Sequence, residues 1–179
     1  MEGSSFWNHV WAALSREFGD LSAVEPTVQI LVRMAAALLF GGALGWQREH
    51  VGKAAGLRTH MLVCLGAALF VAVPHLAGMT GDGVSRIIQG LTAGIGFVGA
   101  GAILKTQSPA QIHGLTTAAG IWFTAAIGVA VGLGRCATAG LATALAFLVL
   151  WLLPVVEHHH DAEYQNAPDS ATAKRPGKK

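Results

Sequence analysis

Five long apolar stretches, separated by short polar segments, dominate the pattern of residues along the chain. They occupy residues 27–46, 59–78, 86–104, 114–133 and 136–156. A helix needs about 20 residues to cross the hydrocarbon core of a bilayer, and each stretch is close to that length. The pattern therefore predicts an all-α integral membrane protein, built as a bundle of five transmembrane helices.

The N-terminal segment, residues 1–26, has a different pattern. Trp7, Trp11, Leu14 and Phe18 recur at helical spacing among polar neighbours, which predicts a short amphipathic helix. Aromatic side chains on such a helix favour the interface between lipid and water. This segment therefore lies at the membrane surface or, because so short a helix is only marginally stable alone, forms a mobile tail.

Charged residues are scarce, and their placement supports the membrane assignment. Only 12% of the 179 residues are charged, and Glu49 and Asp82 are the only acidic residues between positions 28 and 156. Soluble domains are nearer a quarter charged. We expect residues 27–157 to form one membrane domain and residues 158–179, which lack apolar periodicity, to form a disordered tail.

Basic residues are divided unequally between the two sides of the predicted bundle. The side with the first loop, the third loop and the C-terminus holds eight: Arg48, Lys53, Arg58, Lys105, Lys174, Arg175, Lys178 and Lys179. The other side holds Arg16, Arg86 and Arg135. Because cytoplasmic loops carry an excess of Lys and Arg, the sequence predicts a cytoplasmic C-terminus and an N-terminus outside.

Glycine recurs in the predicted spans at spacings that suit close helix packing. Small residues let two helix backbones approach each other within a membrane. In the fourth span, Thr116, Gly120, Thr124, Gly128 and Gly132 occupy every fourth position. The predicted helix-packing residues are Gly90, Gly94, Gly96, Gly99, Gly101, Gly120, Gly128 and Gly132.

Two motifs suggest a ligand, but their surroundings argue against one. The run Gly94–Gly99 fits GxGxxG, yet no acidic residue follows before Glu157 to hold a ribose. The histidines at 158–160 are consecutive, whereas metal ligands on a helix need spacings of three or four. We therefore predict no catalytic residue, no cofactor, no metal ligand set and no nucleic-acid partner.

Polar residues gather where the first span ends and where the second and fourth spans begin. The members of this predicted polar cluster are Arg48, Glu49, Arg58, Thr59, Thr116 and Thr117. Anchoring to anionic lipid is an alternative explanation for the arginines, and it needs charge alone. A structured site that uses the planar guanidinium group, against Glu49 or the helix start at Thr116 and Thr117, predicts instead that lysine does not replace arginine, at Arg58 in particular.

Four motifs follow one another in the predicted membrane domain. They are GWQRE at 45–49, GLRTH at 56–60, GIGFVGAG at 94–101 and GLTTAA at 114–119, the last followed by Trp122. Over roughly residues 27–145 the chain resembles the MgtC/SapB family of bacterial membrane proteins. Gln47 stands where a glutamate is common in that family.

The resemblance implies a bacterial inner-membrane protein linked to magnesium homeostasis, to survival at low magnesium and, in pathogens, to virulence. Some family members carry a cytosolic C-terminal domain, and we expect this chain to be the short form without it. Because the predicted spans contain no Asp or Glu and Mg²⁺ prefers carboxylate ligands, we expect an accessory or regulatory protein. Its expected partners are the lipid bilayer and other membrane proteins, with a second copy of itself as one alternative. A Mg²⁺ transporter or channel is the alternative function.

Overall fold

A computed structural model describes residues 2–19, 23–104 and 114–165, without the side chains of residues 2–5, 104 and 152–165. Its helices are α1 (Glu2–Glu17), α2 (Val24–His50), α3 (Leu57–Leu76), α4 (Gly81–Leu104), α5 (Leu115–Gly132) and α6 (Cys136–Gln165). The residues it describes include no β-strand. The all-α fold class predicted from the sequence is therefore confirmed.

Four of these helices are long and apolar enough to cross a bilayer: α2, α3, Gly81–Ile103 of α4, and α5. In α6, where side chains are described as far as Trp151, the apolar part Cys136–Trp151 is shorter than these four. The fifth predicted span, 136–156, lies within α6 and extends past those side chains. The fold is thus a helical membrane bundle, as expected.

Two helices begin several residues before their predicted spans. α2 begins at Val24 and α4 at Gly81, whereas the spans were predicted from 27 and 86. Glu25 and Asp82 lie in the first turns, where a negative charge favours the positive end of the helix dipole. The helix start therefore includes polar residues that the apolar stretch excludes.

The chain divides into two units, residues 1–143 and 144–179. The first contains α1 to α5 and the beginning of α6, and the second contains the rest of α6. α6 continues to Gln165, into the segment 158–179 that was predicted to be a disordered tail. Strong helix formers such as Ala162 and Glu163 explain this continuation. Residues 166–179 lie outside the described part.

α1 is the helix predicted for the N-terminal segment. Trp7, Trp11 and Phe18 are each more than two-thirds exposed. Leu14 is also exposed, and it lines a shallow groove with Trp11 and Phe18. These apolar side chains face away from the rest of the chain and are available to lipid.

Glycines allow α2 to pack directly on the backbone of α3. A Cβ atom placed on Gly41 would lie 2.7 Å from the carbonyl oxygen of His60 and 2.7 Å from the Cβ of Cys64. A Cβ placed on Gly45 would lie 2.7 Å from the Cα of Leu57. Real Cβ atoms do not approach this closely, so only glycine permits the contact.

An adjacent face of α3 packs on the glycine stripe of α5. A Cβ on Gly128 would overlap the carbonyl oxygen of Cys64, and a Cβ on Gly132 would lie 2.6 Å from that of Ala68. Thr124, between them and Gly120, is fully buried. α2, α3 and α5 therefore pack against one another.

Four of the predicted packing glycines do not lie at a contact between described helices. Gly90, Gly94, Gly96 and Gly101 of α4 have no other heavy atom within 4 Å of a Cβ placed on them. α4 instead buries Val84, Ile95 and Gly99, and Gly99 lies against Ala118 of α5. The four glycines lie on other faces of α4, where no described residue covers them.

Candidate functional site

Most of the predicted polar cluster lies at one end of the bundle, where α2 and α4 end and α3 and α5 begin. We call this the loop-1 end. Gly45 of α2 lies against Leu57 of α3, and Gly114, just before α5, lies against Ala102 of α4. These close contacts fix the helix ends that carry the polar side chains.

Arg48 is the buried centre of the loop-1 end. It lies in the last turn of α2 and is only 3% exposed. Its Nη2 atom donates to the Oγ1 of Thr117 at 3.5 Å, while its Nε atom is buried without a hydrogen-bond partner in the part of the chain that the structure describes. The structure thus joins two predicted cluster residues that are 69 positions apart.

The start of α5 presents Thr117 to Arg48. Gly114, the residue before the helix, has φ +93°, and a Cβ on it would lie 2.6 Å from the carbonyl oxygen of Ala102. Glycine is therefore needed here both for the left-handed backbone and for space. Thr117 is 5% exposed, whereas the neighbouring Thr116 is exposed. Of the two predicted threonines, only Thr117 is buried beside Arg48.

Glu49 stabilises the start of α3. Its Oε2 atom accepts a hydrogen bond of 2.8 Å from the backbone N–H of Leu57. A Cβ on Gly56 would lie 2.6 Å from the same oxygen. Glu49 therefore caps α3, since a carboxylate is a good acceptor for an unpaired N–H group at a helix start.

His60 is a member of the site that the sequence did not single out. It is 1% exposed, and its Nδ1 atom donates to the carbonyl oxygen of Gly56 at 3.0 Å. In the neutral imidazole, this bond leaves Nε2 as an acceptor. Nε2 lies 3.5 Å from a Cβ placed on Gly120, so the ring fills the space between α3 and α5.

Arg58 and Thr59 are not brought into this group. Arg58 is exposed and Thr59 is partly buried. Neither side chain has a hydrogen bond or ion pair among residues 2–19, 23–104 and 114–165. The two arginines of the predicted cluster therefore differ, since Arg48 is held inside the bundle and Arg58 is at its surface.

Arg33 connects α2 to α5 at the opposite end of the bundle. Its Nη1 atom donates to the carbonyl oxygen of Gly132 at 2.8 Å. A Cβ on Gly134 would lie 2.9 Å from its Nη2 atom. Arg33 thus binds a free carbonyl at the end of α5, and it ties α2 to α5.

A family model described as the MgtC family matches residues 34–159. This chain belongs to that family. The matched region contains Arg48, His60 and Thr117, so the whole buried group lies in the part of the chain that is typical of MgtC proteins. No solved structure shows a significant match to the chain.

Curated MgtC-family relatives are similar over most of the same region. Protein SrpB of Synechococcus elongatus is 44% identical over 115 residues, which are 57% of this chain and 62% of SrpB. The protein named "Putative magnesium transporter YhiD" in Escherichia coli K12 is 40% identical over 131 residues, 69% of this chain and 60% of YhiD. Protein MgtC of Brucella abortus is 39% identical over 135 residues, 74% of this chain and 55% of that protein. The chain thus matches little more than half the length of these relatives.

Proposed function

We propose that this chain is an inner-membrane accessory or regulatory protein of magnesium homeostasis, which acts through other membrane proteins. The magnesium link comes from the family and from the name of the YhiD relative. The accessory role rests on one observation, namely that the acidic residues of α2 to α5 lie only in first or last turns. The buried group at the loop-1 end is built on a cation, Arg48. Such an arrangement does not favour Mg²⁺, and we propose no enzymatic activity.

A Mg²⁺ transporter is the second candidate function. The name of the YhiD relative favours it, and so does a cleft of about 810 Å³ at the end of the bundle opposite the loop-1 end. His75, Ser85, Gln89 and Thr92 contribute polar groups to this cleft. It has the size of a small-molecule site, although none of the described residues that line it carries a carboxylate.

Magnesium flux into proteoliposomes separates the two functions. We expect liposomes containing the purified chain and an internal Mg²⁺-sensitive dye to take up Mg²⁺ no faster than empty liposomes. A known Mg²⁺ channel is the positive control, and an ionophore added at the end shows that the vesicles are intact. Uptake above the empty liposomes would contradict the accessory role. In that case Gln89→Leu, which removes the central amide of the cleft, tests whether the cleft is the pathway.

We also propose an N-terminus outside and a cytoplasmic C-terminus, from the eight-to-three division of basic residues. A fluorescent protein fused after Lys179 is expected to fluoresce, because it stays in the cytoplasm. An alkaline phosphatase fused at the same position is expected to be inactive, because it is not exported. An active phosphatase and a dark fluorescent protein would show that the orientation is the opposite one.

A further inference from the structure

One edge of the Arg48 guanidinium group lacks a good acceptor. The Nε and Nη2 atoms share this edge. Nε is buried without a hydrogen-bond partner among the described residues, and Nη2 reaches only the Oγ1 of Thr117 at 3.5 Å. That distance exceeds the usual range of about 2.7–3.2 Å for an N–H···O bond. Because buried polar groups nearly always have partners, this edge, which faces α5, is suited to a stronger acceptor.

The described residues also leave the charge of Arg48 without a paired carboxylate. Glu49, the nearest acid in the sequence, is exposed and binds the N–H of Leu57. The dipole of α2, whose last turn contains Arg48, supplies at most about half a negative elementary charge. A buried cation is strongly unfavourable when no counter-charge accompanies it. An anion from outside the chain would provide that counter-charge.

The start of α5 offers further hydrogen-bond donors beside Arg48. The first N–H groups of a helix have no partner within the helix, and Gly114 has no side chain to cap them. Leu115 and Thr116 are exposed at this helix start, and Thr117 connects it to Arg48. Helix N-termini bind phosphate groups, and an arginine edge with two donors binds the same oxyanions in a bidentate manner.

We propose that Arg48 and the start of α5 form a binding site for an oxyanion of the phosphate class at the loop-1 end. The headgroup phosphate of an anionic lipid and free inorganic phosphate offer the same chemistry to this site. Arg48 supplies charge and its two-donor edge, α5 supplies backbone N–H groups, and the hydroxyl of Thr117, which lies beside the arginine, can donate to the same oxyanion. The proposal does not depend on the magnesium function.

Ligand-induced stabilisation of the full chain tests the site. The protein is purified in dodecyl maltoside, which contains no phosphate, and its thermal unfolding is followed at constant ionic strength. The probes are potassium phosphate, dioctanoyl phosphatidylglycerol and, as the phosphate-free lipid control, dioctanoyl glycerol. We expect at least one phosphate-bearing probe to stabilise the protein in a saturable manner, and dioctanoyl glycerol to be without effect. Stabilisation by phosphatidylglycerol alone identifies a lipid site, and stabilisation by both identifies a site for free phosphate as well.

Matched variants connect the effect to the proposed residues. Arg48→Lys keeps the charge but loses the two-donor edge, and we expect it to bind the active probe about tenfold more weakly or worse. Arg58→Lys, at the surface of the same end, is expected to bind like the parent. Thr117→Val and its exposed neighbour Thr116→Val provide a second pair if Arg48→Lys does not fold, and only Thr117→Val is expected to weaken binding. Absence of stabilisation, equal stabilisation by dioctanoyl glycerol, or equal binding within the folded pairs would overturn the proposal.

Discussion

Replacing Gly128 by alanine is expected to destabilise the bundle strongly, although the change adds a single methyl group. The new Cβ would overlap the carbonyl oxygen of Cys64 and approach the Cβ of Ala67 to 2.8 Å. Neither atom can move without shifting α3, because one belongs to the backbone and the other is fixed to it. Overpacking of this kind costs about 1–3 kcal/mol. We expect a lower midpoint of thermal unfolding in detergent, and we expect Gly128→Leu to yield no folded protein.

Two other glycines provide a second test and a control for this prediction. Gly132→Ala is expected to resemble Gly128→Ala, since its Cβ would lie 2.6 Å from the carbonyl oxygen of Ala68. Gly94→Ala is the matched control, because Gly94 is also a helical glycine in a span but has open space around it. Equal unfolding midpoints for Gly128→Ala and Gly94→Ala would show that α3 and α5 do not pack in this way.

Gly120 shows how the structure changes a conclusion drawn from spacing. The stripe along α5 gives Gly120 and Gly128 the same apparent importance. A Cβ on Gly120, however, would meet only the Nε2 of His60, at an ordinary contact distance of 3.5 Å. Alanine therefore fits at 120 and not at 128. The pattern predicts which face of a helix packs, whereas the distance between two backbones depends on how the helices cross.

The helical bundle itself could be predicted from the sequence because lipid imposes a simple rule. Long apolar stretches must be helical in a membrane, since every backbone group needs a partner. The same rule explains why some helices extend past the predicted spans. Polar residues such as Glu25 and Asp82 extend α2 and α4 beyond their apolar stretches. The glycines of α4 could not be assigned either, because spacing does not say which face of a helix meets a neighbour.

The buried group could be predicted in part. Arg48 lies three residues after Gly45 and seven after Gly41, which places it on the packing face of α2. His60 begins a series with Cys64, four residues later, on the buried face of α3. These spacings were available in the sequence and would have separated Arg48 from Arg58. The hydrogen bond from Arg48 to Thr117 could not be predicted, because it depends on the contact of two helices far apart in the chain.

Arg48→Lys is expected to abolish function while Arg58→Lys preserves it. Both changes keep a positive charge at the loop-1 end, so simple anchoring to anionic lipid predicts that both variants are active. The structure distinguishes them, because Arg48 is 3% exposed and directed at Thr117 whereas Arg58 is exposed. Lysine lacks the planar group with several fixed donors, so it cannot present the edge formed by Nε and Nη2.

Complementation of a bacterial strain that lacks its own MgtC-family gene and grows poorly at low magnesium measures this difference. We expect Arg48→Lys to grow no better than the empty vector, and Arg58→Lys to grow like the parent. Growth is compared at equal amounts of folded protein, determined by gel filtration in detergent, so that a loss of stability is not taken for a loss of function. Thr117→Val is expected to resemble Arg48→Lys, because it removes the hydroxyl that lies beside the guanidinium group. Full growth with folded Arg48→Lys would mean that charge alone is needed at this position, and the loop-1 end would then be a lipid anchor.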